Sequence, residues 1–111
     1  MGRTRMQAAL SIRVTDRLRS WRGPLAAQAH RLDAARAGVE RLQLGGAVGT
    51  RHGFGDQGQA IANAMATRLS LSAPDHAWHS DRGGVVHYAA CIAGLSGVLG
   101  KVGQDIALMA Q

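Results

Sequence analysis

Arg82 stands where a long apolar run begins, at the end of Trp78-His79-Ser80-Asp81-Arg82. A guanidinium at a helix start faces the same ligand as the free backbone amides there, and both favour an anion. Asp81, beside it, partly cancels that field. Trp78 and His79 mark the same loop-to-helix junction, a place where sites tend to form. A second arrangement is His76, His79, His87 and Cys91, spaced H-x2-H-x7-H-x3-C. His87 and Cys91 fall four apart on one helical face, which suits two metal ligands. The spacing is no standard zinc pattern, and a thiol in an apolar helix is ordinarily a buried one, so no metal is expected. The third is Gly53-Phe54-Gly55-Asp56-Gln57-Gly58, a G-x-G-x-x-G run ahead of a helix. A dinucleotide site also needs a preceding strand. Residues 45–52 do not read as one, so no cofactor is expected.

The elements that must position these residues are three helices and almost no strand. The first is predicted over about 15–36. Leu18, Trp21, Leu25, Ala29, Leu32 and Ala35 recur at steps of three and four and give it one apolar face. Thr15 or Asp16 can cap its start, Pro24 predicts a kink or a start near Gly23, and Gly38 ends it. Residues 44–58 form a glycine-rich loop that forbids a regular element. A shorter helix follows over about 57–69, with Ile61, Ala62, Met65 and Leu69 as its stripe. The third runs over about 82–110 and is apolar nearly all round, with Arg82, Lys101 and Asp105 as its only charges. Such a helix is buried on all sides. Gly94, Gly97, Gly100 and Gly103 recur along it. Each costs up to about 1 kcal/mol of helix propensity, which a close helix neighbour would offset. Small residues also mark membrane helices, but His87, Lys101, Gln104 and Asp105 argue against that. A chain this small cannot cover so much apolar surface alone, so the third helix is expected to find partners: further segments of its own chain, other subunits in a homo-oligomer, or both.

With 111 residues there is at most one domain. The net charge is +6, and nine of the twelve arginines precede residue 42. That invites a nucleic-acid reading. The arginines, however, are spread along a helix among Asp16, Asp33 and Glu40, and four aromatics make no stacking platform. A small anionic substrate equally favours a positive site. A single cysteine and the lack of a signal-like apolar start point to the cytoplasm.

Four motifs in order bring a family into view. Gly2-Arg3-Thr4-Arg5-Met6-Gln7 resembles the G-R-T-x-x-Q stretch of the fumarase/aspartase superfamily. Leu44-Gly45-Gly46-Ala47-Val48-Gly49-Thr50 resembles its L-G-G-A-x-G-T loop. Trp78 to Arg82 resembles the W-H-[ST]-Q-R-D motif of the 3-carboxy-cis,cis-muconate cycloisomerase branch. Leu99 to Gln111 resembles the L-G-K-x-x-x-D-[IV]-x-L-[LM]-x-Q run that follows. The resemblance implies an all-α fold: part of the central long-helix bundle of a homotetramer with active sites at subunit junctions. The implied reaction is lactonisation of carboxymuconate, a tricarboxylate, in aromatic catabolism. Thr4 and Gln7 would then donate hydrogen bonds to one substrate carboxylate. Ser80 and Arg82 would hold another, and His79 would line the site. Arg5 occupies a position where many superfamily lyases carry a proton-transferring His, which favours the cycloisomerase branch over an adenylosuccinate or argininosuccinate lyase. Asp81 replaces the family's Gln and would repel an anionic substrate. The G-S-S-x-M-P-x-K-x-N loop that supplies the superfamily's catalytic serine is absent from these residues, so the chain alone is expected to be inactive. The rival reading from another class is a basic helical binding module.

Overall fold

A computed structural model describes residues 1–110. The elements, in order, are β1 (Arg3–Thr4), β2 (Gln7–Ala8), α1 (Val14–Arg36), a 3-10 segment (His52–Gln57), α2 (Gly58–Leu69) and α3 (Gly83–Met109). The molecule is a rod, 72 × 22 × 17 Å. α1 and α3 lie antiparallel along it, since Arg17 meets Asp105, Gln28 meets Gly94 and Gly38 meets Gly84. The less exposed positions of α1 are Asp16, Arg17, Trp21, Leu25, Gln28, Leu32 and Ala35, recurring from Arg17 onward at steps of three or four. This is the spacing of a two-helix seam. Leu18 and Ala29, expected on the apolar face, stay exposed, because a single helix partner covers a narrower stripe than a full core would.

Several details differ from expectation for local reasons. α1 starts one residue early, at Val14, with Arg13 as N-cap. Asp16 works from inside the first turn, accepting the Arg13 amide at 3.2 Å. The helix runs through Pro24 unbroken. Pro24 and Ser20, whose carbonyl loses its amide partner, are both exposed, so water can serve that carbonyl. α1 ends at Arg36, and Gly38 serves closeness rather than a left-handed turn. A Cβ on Gly84 would sit 2.2 Å from the Gly38 carbonyl oxygen. The glycine-rich loop does hold a regular piece, the 3-10 segment, which Gly55 interrupts with φ 56°.

A small core sits beside this rod. Leu42, Ala62 and Ala66 are buried, with Leu44, Leu71 and Ala73 against them. Leu42 donates its amide to Ser72 O at 2.7 Å, and Ser72 returns one to Glu40 O at 3.0 Å. This close backbone pairing selects the alanine face of α2. Met65 and Leu69, expected in its stripe, are left outside.

α3 is apolar but mostly uncovered: Val86, Leu99 and Ile106 are each more than half exposed. It is long and apolar enough to cross a membrane by length and composition. Of the glycine series only Gly94 meets a neighbour, the Gln28 side chain; Gly97, Gly100 and Gly103 face open space.

Candidate functional site

The N-terminal end of α3 is built on glycine and arginine. Gly46 and Gly49 take φ of 71° and 81°, values that L side chains rarely adopt. Gly45 also lies so close to Ala77 that a Cβ would come within 2.9 Å of that methyl group. The loop is thereby laid against the segment that carries His79. Arg51, 6% exposed, stitches it down. Its Nε donates to Leu44 O at 2.6 Å, its Nη2 to Pro74 O at 2.9 Å, and its Nη1 to Gln59 Oε1. No carboxylate pairs with it among the described residues; carbonyl dipoles solvate the charge, as a buried cation requires. Sequence reading passed over Arg51, although a lone arginine inside a glycine loop was the available signal.

Trp78 is pinned at both nitrogens. Its amide donates to Gln43 Oε1 at 2.9 Å and its indole N–H to Leu42 O at 3.0 Å. The guanidinium of Arg41 lies 4.9 Å from the indole centroid, within cation–π range. Asp81 closes a turn onto Trp78 O at 2.9 Å, and its Oδ1 accepts the Gly83 amide at 3.1 Å. One of the helix-start amides expected to face a ligand is therefore occupied. Arg82 is the N-cap of α3, and the side chains of His79, Ser80 and Arg82 are exposed.

At the other end of α3, the β1–β2 hairpin pairs Thr4 with Gln7, so these two stand side by side. Arg5 and Met6 form the tip with φ of 47° and 63°, unusual for side-chain-bearing residues. Arg3 donates to Leu108 O at 3.4 Å, fixing the hairpin to the end of α3. A groove of about 840 Å3 lies between them, lined by Arg3, Arg5, Trp21, Asp105 and Leu108 among others. Asp105 organises its floor. It accepts from the Trp21 indole at 2.6 Å and Arg17 at 3.3 Å, and it pairs with Lys101. Those donors, Lys101 first and Trp21 next, hold its pKa below the usual carboxylate value.

The sequence-predicted residues therefore form two groups: Thr4, Arg5 and Gln7 at one end, and His79, Ser80, Asp81 and Arg82 at the other. The 27 residues of α3 separate them, about 40 Å at 1.5 Å per residue. One copy of the chain cannot bring them onto one small molecule. The histidine–cysteine pattern is scattered. Cys91 is buried with Sγ 3.8 Å from Arg31 O and 4.0 Å from His87 Nε2, and no cluster of three metal-ligating groups forms among the described residues.

Residues 1–111 match a protein-family model described as Lyase. This chain belongs to the Lyase family. Within the family it is 36% identical over its whole length to the 3-carboxy-cis,cis-muconate cycloisomerase of Acinetobacter baylyi, of which it covers 25%. It is 33% identical over 95% of its length to an N-acetyl-S-(2-succino)cysteine lyase of Dickeya dadantii, covering 23% of that protein. Among solved structures, it matches the 3-carboxy-cis,cis-muconate lactonizing enzyme of Pseudomonas putida with a TM-score of 0.90 and 34% identity, over 99% of this chain and 25% of that one. The chain thus spans about a quarter of the length of the relatives it matches. The expected all-α fold, a fragment of the lyase architecture, is borne out.

Proposed function

We propose that this chain is a segment of a 3-carboxy-cis,cis-muconate-type cycloisomerase that contributes two separate half-sites, each completed by other parts of an oligomer. The observation that carries this reading is the placement of the two polar groups at opposite ends of one 27-residue helix. The likeness to cycloisomerases over the full chain supports it. In the reaction, a substrate carboxylate oxygen adds across a carbon–carbon double bond and the neighbouring carbon takes up a proton. The intermediate is a dianionic aci-carboxylate, which preorganised donors and cations stabilise. Thr4 and Gln7 donate to one carboxylate. Ser80 and the bidentate fork of Arg82 hold another, with His79 alongside. Arg5 adds positive charge at the hairpin tip in place of a proton carrier. The proton donor lies outside this segment, so the isolated chain is inactive.

The open face of α3 supports assembly into a homotetramer, in which Gly97, Gly100 and Gly103 admit a neighbouring helix. Close agreement with the lactonizing-enzyme crystal structure through nearly the whole chain favours this over a membrane location, and the cytoplasm is the compartment that fits.

The test is a graft: residues 1–111 replace the matching quarter of the Pseudomonas putida enzyme. The graft is expected to lactonise carboxymuconate, and the isolated chain is not. A correctly assembled graft that ignores carboxymuconate but cleaves N-acetyl-S-(2-succino)cysteine would move the assignment to the succinyl-lyase branch, which the Dickeya dadantii relative represents.

A further inference from the structure

Asp81 sits between the two side chains proposed to hold a substrate carboxylate, where a free negative charge would oppose binding. It is not free. Its Oδ2 lies 3.8 Å from Nη1 of Arg41, which belongs to a different part of the chain, next to the small core, where Arg41 bridges Ser72. Arg41 is the fixed member of the pair. Its side chain is 23% exposed against 59% for Asp81, and it stacks on Trp78, which is itself tied to Leu42 and Gln43. The carboxylate therefore leans toward a cation whose position does not depend on it.

We propose that Arg41 is a positioning residue of the anion site: it masks the Asp81 charge and holds that carboxylate away from a ligand on Ser80 and Arg82. The proposal rests on the reading that this end of α3 binds a carboxylate. Arg41 touches no substrate and acts through Asp81 and Trp78. The pair also accounts for how a carboxylate is tolerated between two side chains proposed to hold an anion. Neutralising Asp81 alone then gains little, because its charge is already met. Removing Arg41 exposes that charge to the ligand.

The test uses the grafted enzyme. Arg41→Ala is expected to raise KM for carboxymuconate roughly three- to tenfold, the scale of one partly exposed charge pair, with kcat nearly unchanged. Adding Asp81→Gln should return KM to about the parental value, whereas Asp81→Gln alone should change it by less than about twofold. Titrating Trp78 emission with citrate, a tricarboxylate probe, in a Trp21→Phe background reads the same variants without turnover. Loss of citrate affinity in Arg41→Ala, recovered in the double variant, supports masking even if the graft turns over neither substrate, an outcome that would strike only the choice of reaction. An Arg41→Ala defect that Asp81→Gln does not repair, or no defect by either readout, overturns it.

Discussion

At the N-terminal end of α3, neighbours are held mainly through backbone atoms, with the Arg41–Asp81 pair and the Arg41–Trp78 stack added to them. Gly84 meets Gly38 with no room for a methyl group, and the Arg51 guanidinium donates to the Leu44 and Pro74 carbonyls. At the C-terminal end, the same helix is held by side-chain charge, with Asp105 gathering Arg17, Trp21 and Lys101. The first kind of contact is short-ranged and intolerant of added volume. The second bends with pH and salt. Each half-site inherits the character of its end: the Ser80–Arg82 turn rests on a tightly determined frame, and the Thr4–Gln7 hairpin on an adjustable one.

The largest effect expected from this contrast is at Gly84. Gly84→Leu forces α1 and α3 apart and should cost about 3 kcal/mol or more, read by chemical denaturation of the grafted enzyme. Gly97→Leu, on the open face of the same helix, should leave the α1–α3 pairing intact and weaken only assembly, read by sedimentation. Equal destabilisation by both would erase the distinction between packed and open faces. Next is Arg51→Leu, which strands the Leu44 and Pro74 carbonyls and should cost about 2–3 kcal/mol, with faster proteolysis across residues 45–57. A smaller effect is expected at Asp105. Its folded pKa lies below the ordinary carboxylate value, so its contribution is present above about pH 4. It is lost as pH falls through the lowered folded value. Asp105→Asn should therefore be less stable than the parent at neutral pH, and the two curves should converge in acid. Parallel curves down to pH 2 would show that the Asp105 cluster does not hold this end.

The sequence carried the helices because their apolar periods are long, and α3 was legible to within a residue at each end. The stripe of α2 was legible only in part. Ala62 is buried and Ile61 half-buried as expected, but Met65 and Leu69 stay outside and Ala66 is buried in their place. Pro24 misled in the same way, since its cost depends on whether Ser20 O reaches water, which periodicity does not encode. The motif residues of the candidate site were readable one by one. Their separation along α3 was not, because a motif records order in the chain and not distance. Arg41 went unnoticed because its partners, Trp78 and Asp81, lie about forty residues away in sequence and meet it only once Leu42 and Ser72 pair.

The most direct measurement of the central claim, that this segment carries two half-sites serving different substrate molecules, is complementation within mixed assemblies of the grafted enzyme. One graft carries Thr4→Ala with Gln7→Ala and the other carries Arg82→Ala, each inactive alone. Co-expressed, they are expected to regain lactonising activity, because some sites then draw an intact hairpin from one copy and an intact Arg82 from another. Mixed assemblies that form normally and stay inactive would contradict it.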